Sequence, residues 1–266
     1  MSFKNQIVKT NYHTHMYLCR HAKGTIEDYI KEAIKLGFKE IGMSDHAPWK
    51  ELTERSERMY LKDYPTYLKD LEEVIEKYSN QIKIYKGLEI EYFNGKNEIY
   101  KKYLEELDYL VLGQHYIEMD GKLISVYRIR TIEELTIYKD TLIKAINSGY
   151  FKFIAHPDLF LFSKKELSEP ILKLCEEIII AAKEKNIPLE INANGIRKGR
   201  ISVGDKTVYR YPREEFFKLV KKHDARCIIS SDAHKPELLY DKAIENAVDF
   251  SKRLSLRVEE ELSFNE

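Results

Sequence analysis

Seven short runs of β-branched, aromatic and aliphatic residues punctuate the chain, separated by longer stretches in which apolar positions return at helical spacing. The runs are Ile7 to His13, Phe38 to Ser44, Ile82 to Glu89, Leu107 to Gln114, Phe151 to Ala155, Ile187 to Asn192 and Arg226 to Ser231. Between them, Thr25-Ile26-Glu27-Asp28 opens a helix that Gly37 closes, Thr131-Ile132-Glu133-Glu134 opens another that ends near Gly149, and Ser168-Glu169-Pro170 starts a third. Strands alternating with helices imply parallel βαβ units. Seven of them in one undivided chain suit a closed or nearly closed α/β barrel, with a doubly wound open sheet as the other arrangement.

Composition narrows the function more than the fold. No linker, low-complexity tract or repeat interrupts the 266 residues, so residues 1–266 read as one domain. The 44 basic side chains balance 44 acidic ones, which weighs against a nucleic-acid partner, because binding a phosphate backbone normally leaves a basic surplus. The longest aliphatic run, Ile178 to Ala182, is far below the roughly 20 residues of a bilayer span, which excludes a membrane partner of that kind. No signal-peptide core follows Met1, so the expected compartment is the cytoplasm. Cys19, Cys175 and Cys227 stand far apart without Cys-x-x-Cys spacing, and are expected as reduced thiols rather than a disulfide framework or a thiolate zinc site.

The histidines change the picture. The first run ends in His13-Thr14-His15, the second leads to Asp45-His46, the third ends at Glu89, the fourth at His115, the fifth at His156 and the seventh at Asp232-Ala233-His234. In a barrel the C-terminal strand ends carry the chemistry. Residues two apart on a strand share a face, so His13 with His15, Glu89 with Glu91, and Asp232 with His234 can turn toward one site. Any one histidine is more readily a hydrogen-bonded core or surface residue than a ligand, but this joint placement is poorly explained by scatter; only His223 falls in an expected helix interior, and His21 follows shortly after His15. Imidazole and carboxylate donors without thiolate suit zinc, manganese or iron in an open catalytic site, and nine donors are too many for one such ion, so two or three divalent metals sharing a carboxylate are expected. Glu190, Asn192 and Asn194 follow the same period of two and are candidate hydrogen-bonding partners behind the ligands.

The motifs His13-Thr14-His15, Ser44-Asp45-His46, Gly87-Leu88-Glu89, Gly113-Gln114-His115, Ala155-His156-Pro157 and Ser231-Asp232-Ala233-His234 resemble, in order and over nearly the whole chain, those of the polymerase and histidinol phosphatase family. The resemblance implies a distorted (β/α)7 barrel with up to three metals: one on His13, His15, Glu89 and Asp232; a second on Glu89, His115 and His156; a third on His21, His46 and His234. Leu189 to Lys198, with Tyr211-Pro212, is similar to the histidinol-phosphate phosphatases within that family. This implies a phosphomonoesterase of histidine biosynthesis that acts on L-histidinol phosphate, with Arg197 binding the phosphate through its planar fork.

Phosphate monoesters resist hydrolysis because an anionic centre repels hydroxide and the alkoxide leaves poorly; a metal cluster with a basic residue meets both difficulties without a phosphoenzyme. Asp45 is the candidate catalytic acid, or else a group that orients a ligand. The ammonium and imidazole of histidinol favour nearby carboxylates and aromatics, for which position suggests Glu91, Tyr116 and Glu118. Trp49 and the run Glu51 to Arg58 are a candidate lid or a solvated loop. Other readings are a hydrolase of nucleotides or other phosphate esters, and a non-catalytic interaction domain.

Overall fold

A computed structural model describes residues 8–52 and 57–264. Its strands are β1 Thr10–Asn11, β2 Glu40–Met43, β3 Lys83–Ile90, β4 Tyr109–Leu112, β5 Tyr116–Met119, β6 Lys122–Ser125, β7 Phe151–Ile154, β8 Leu189–Asn192, β9 Arg200–Val203, β10 Lys206–Tyr209, β11 Arg226–Ser230 and β12 Arg257–Glu259. The helices are α1 Ile26–Lys35, α2 Tyr64–Tyr78, α3 Asn97–Glu106, α4 Ile132–Ser148, α5 Glu169–Glu184, α6 Ala193–Arg197, α7 Glu214–Lys222 and α8 Lys242–Arg253.

The main sheet runs β1-β2-β3-β4-β7-β8-β11-β12, with every pair parallel. It curls until its first strand meets its seventh: Thr14 and Ala233 form a parallel bridge, and His15 N–H donates to Ala233 C=O at 3.0 Å. The expected barrel is therefore present, with an eighth strand added. That strand, β12, lies beside the lower end of β11, where Thr10 Oγ1 donates to Glu260 C=O at 2.5 Å. It has three residues, two of them charged, and leaves no apolar run to read. Two antiparallel hairpins, β5–β6 and β9–β10, also escape the periodicity because both are half exposed. The first has a local signal in Asp120-Gly121, whose positive φ values of 52° and 68° suit a tight two-residue turn.

The helix signals act as expected. Thr25 and Asp28 form a capping box on α1, Thr131 and Glu134 another on α4, and α4 stops at Gly149 in the left-handed conformation. Ser168 precedes α5 without a side-chain cap bond. The helices bury one large core against the outside of the sheet, while a smaller cluster that includes Tyr12, Tyr109, Phe153 and Ile228 fills the inside. Tyr109 lies across Gly42 and Gly87, where any β-carbon would collide with its ring, and its hydroxyl donates to Tyr12 C=O at 2.8 Å. The interior beneath the strand ends is thus packed solid. The three cysteines are free and buried. No helix among the described residues is long and apolar enough to cross a membrane.

Candidate metal centre

Short strands feeding one rim bring the donors together. His13 and His15 follow β1, His46 follows β2, Glu89 lies near the end of β3, and His115, His156 and Asp232 follow β4, β7 and β11. His21 comes after a 3-10 turn over Tyr17–Cys19 and is exposed at the rim. His156 and Asp232 take positive φ (29° and 47°), a strained backbone for these residues and one that clusters at functional sites.

Glu89 stands at the middle. Its Oε2 lies 3.4 Å from His13 Nε2, 3.5 Å from His15 Nε2 and 2.9 Å from His46 Nδ1; its Oε1 lies 2.9 Å from His156 Nε2 and 3.6 Å from His115 Nε2. Asp232 Oδ1 is 3.1 Å from His15 Nε2 and 3.9 Å from His13 Nε2. The remaining pair, His21 and His234, meet Nε2 to Nε2 at 2.8 Å, with the His46 ring centroid 5.3 Å from that of His21. All nine expected donors therefore share one rim.

The donor set fits a cation. His13 Nε2, His15 Nε2, Glu89 Oε2 and Asp232 Oδ1 are buried, lack hydrogen-bond partners and point at one another. Leaving one such group unsatisfied ordinarily costs about 1–3 kcal/mol, and a shared divalent ion would satisfy all four. The opposite ring atoms are held: Nδ1 of His13 faces Glu190 Oε1 at 2.8 Å, that of His15 faces Asp45 Oδ1 at 3.3 Å and that of His115 faces Glu91 Oε1 at 3.0 Å. Nδ1 of His21 and of His234 face the carbonyls of Cys19 and Asp232. A proton fixed on Nδ1 leaves the Nε2 lone pair free for a metal. Glu190 also accepts from His156 N–H and Asn192 Nδ2, while Asn192 and Asn194 both donate to Asp232 Oδ2. These three polar residues of β8 and its continuation are the hydrogen-bonding partners that their spacing suggested.

Electrostatics agree with this picture. Burial alone would push the His13 imidazole down, yet Glu190, Asp232 and Glu89 outweigh it and hold it well above its ordinary value; His15 likewise sits at about 9, through Asp232 and Asp45. Burial and the charge of His15 drive His234 down to about 3. Protons on His13 and His15 thus offset part of the negative charge of these buried carboxylates, and a divalent cation would replace them.

Several expected roles move. Asp45 does not line the cavity: its carboxylate faces His15 and accepts from the backbone N–H of His46 and Cys19, so it orients His15 and is not placed as a proton donor to a leaving group. Arg197 turns away as well, donating to both Asp241 oxygens and to the carbonyls of Ser231 and Leu238. Glu91 is buried against Arg58, at 2.8 and 3.1 Å, besides His115. Glu118 lines a separate cavity with Gln114 and Lys144. Tyr116 is buried but does line the site. His223 caps the C-terminus of α7 rather than lying inside a helix, 2.6 Å from Glu176. Trp49 is buried against Phe93 and Tyr100; of the candidate lid, residues 53–56 lie outside the described residues.

Above the donors lies a cavity of about 890 Å³. Its wall includes Glu57, from the run named as a candidate lid, and residues that sequence reasoning missed: Tyr127, Arg128, Lys198 and the β6 side chains Leu123 and Ile124. Only the turn signal at Asp120-Gly121 could have pointed to the hairpin that supplies part of that wall.

Fold and donors define a class: an α/β barrel with a histidine- and carboxylate-rich cation site on its C-terminal rim. The chain belongs to the PHP domain family, whose model matches residues 11–194. It is 26% identical over 233 residues to a protein of Deinococcus radiodurans named "probable histidinol-phosphatase", covering 84% of this chain and 85% of the relative. A probable phosphatase of Clostridium novyi is 25% identical over 254 residues, covering 93% and 89%. Among solved structures, histidinol phosphate phosphatase from Lactococcus lactis, complexed with zinc, L-histidinol and phosphate, superposes with a TM-score of 0.70 at 18% identity, covering 94% of this chain and 95% of that one. At that identity the likeness is one of fold.

Proposed function

We propose that this chain is a metal-dependent phosphomonoesterase that hydrolyses L-histidinol phosphate to L-histidinol and inorganic phosphate. The observation that carries the reading is the convergence of four buried, unpartnered atoms, His13 Nε2, His15 Nε2, Glu89 Oε2 and Asp232 Oδ1, beneath an open cavity. The substrate is supported by the relatives, which are named histidinol-phosphatases or phosphatases over most of their length. In this reading His13, His15, Glu89 and Asp232 would hold one ion, Glu89 with His115 and His156 would hold a second, and His21, His46 and His234 would hold a third. Divalent ions of zinc, manganese or iron would supply an activated water near neutral pH and neutralise the phosphoryl oxygens.

The protein's own part is orientation and charge. Glu190, Asp45 and Glu91 hold the Nδ1 protons of His13, His15 and His115, so that each imidazole presents Nε2 to the centre. Lys198 and Arg128, exposed cations on the cavity wall, take the phosphate-binding role that Arg197 cannot reach. Tyr127 and Tyr211 narrow the cavity beside them.

Phosphate release from L-histidinol phosphate, measured with elemental analysis of the purified protein, tests the reading. His13→Ala and Asp232→Asn are expected to remove most activity and bound metal while circular dichroism stays that of the parent. Full activity in either variant, or a centre that takes up neither zinc nor manganese, overturns it.

A further inference from the structure

The charged side chains on the cavity wall differ in whether another group already engages them. Glu89 and Asp232 face the histidines, and Arg58 is locked by Glu91. Arg128 and Lys198 are exposed cations, the latter with Nζ 5.5 Å from the Tyr127 ring centroid. That leaves Glu57. Among the described residues it pairs with no cation; its Oε2 accepts a long hydrogen bond from the Tyr116 hydroxyl at 3.4 Å. It lines the same cavity as His21, His46 and Tyr127, which puts it on the wall that the donor cluster shares. Beside it run Leu123 and Ile124 of β6, half buried and paired through the hairpin to Glu118 and Ile117 of β5, next to Tyr116.

A cavity walled only by cations would bind any phosphate ester and repel an ammonium group. One unpaired carboxylate in the same cavity reverses that preference, because it attracts a cationic leaving group and repels an anionic one. Glu91 and Glu118, the carboxylates that position along the chain suggested for this task, are respectively neutralised by Arg58 and turned to another cavity. We propose that Glu57 is the specificity-determining carboxylate of the site. It binds the cationic nitrogen of the alcohol half of a phosphate monoester, with Tyr116 steadying its oxygen and Leu123 and Ile124 covering the carbon skeleton. The assignment rests on the phosphatase reading and selects, within that reading, esters of amino alcohols over neutral and acidic ones.

The test compares L-histidinol phosphate with phenyl phosphate, whose leaving group is neutral, using the metal-loaded enzyme. In Glu57→Gln the ratio of their kcat/KM values is expected to fall about two- to fivefold, as for the loss of a solvent-accessible charge pair. Glu57→Asp retains most of the parental ratio, and Glu57→Lys lowers it further. An unchanged ratio in Glu57→Gln overturns the assignment, and so does loss of bound metal in that variant, which would make Glu57 part of the cluster. If the parent hydrolyses neither ester, the phosphatase reading fails separately, and calorimetric titration of the metal-loaded protein with L-histidinol then tests Glu57 alone. Binding about two- to fivefold tighter to the parent than to Glu57→Gln supports the role; equal affinities, or binding to neither, overturn it.

Discussion

The Glu89 carboxylate occupies the space that a side chain at residue 113 would need: a β-carbon built on Gly113 falls inside the contact distance of Glu89 Oε1, Cδ and Cγ. Gly113 follows β4 and Glu89 is the penultimate residue of the neighbouring β3, so the Gly-Gln-His and Gly-Leu-Glu motifs are two halves of one packing arrangement. Gly113→Ala is therefore expected to displace the shared carboxylate, and a shift of about an ångström in such a group can lower the rate about a hundredfold. Metal content and kcat/KM should fall together while far-ultraviolet circular dichroism holds. Parental metal stoichiometry in the alanine variant would refute the arrangement.

Glu190 does not line the cavity above the donors yet holds His13 Nδ1, His156 N–H and Asn192 at once. Glu190→Gln keeps the size and removes the charge that fixes the His13 proton. Metal affinity is expected to drop about 10- to 100-fold, the range for groups that orient ligands. Competitive zinc titration with a chromophoric chelator measures it, and an unaltered dissociation constant would dismiss the orienting role.

Stripping metal should soften the protein without unfolding it, because the hydrophobic core lies below and outside the centre. A ligand at one hundred times its dissociation constant adds about 2.7 kcal/mol, roughly 5–10 °C in Tm for a chain of this size. Differential scanning calorimetry before and after chelation, then with zinc restored, reads the shift. An identical Tm in all three states would mean that no ion is held.

Arg197 and Lys198 are neighbours with opposite expected consequences. Arg197→Ala breaks the tie to Asp241 and to the carbonyls of Ser231 and Leu238, and is expected to lower stability by about 1–3 kcal/mol. Lys198→Ala should leave Tm alone and raise KM for the phosphate ester several-fold, as for the loss of an exposed charge contact. Urea melts and Michaelis parameters for the two variants separate the roles; a KM effect confined to Arg197→Ala would restore the expectation drawn from the sequence.

The donors were legible in the sequence because a barrel converts order along the chain into position around a rim: His13, His15, His46, Glu89, His115, His156, Asp232 and His234 each follow a strand or lie near its end, and the C-terminal ends of those strands meet there. Caps at Thr25 and Thr131 were legible for a similar reason, since a capping box is a contact between residues three apart. Neither reading needed distant parts of the chain to be placed.

The substrate side was not legible, because direction matters there and spacing does not supply it. Arg197 ends the five-residue α6 and could face either way; the carboxylate of Asp241, 44 residues later, draws it away from the cavity. Glu91 shares a strand face with Glu89, yet Arg58 captures it from another segment. Local periodicity thus determined the barrel and its ring of candidate donors. The tertiary structure alone decided which charges were left over to meet a substrate, since a charge is free only when no partner from elsewhere in the fold has reached it first.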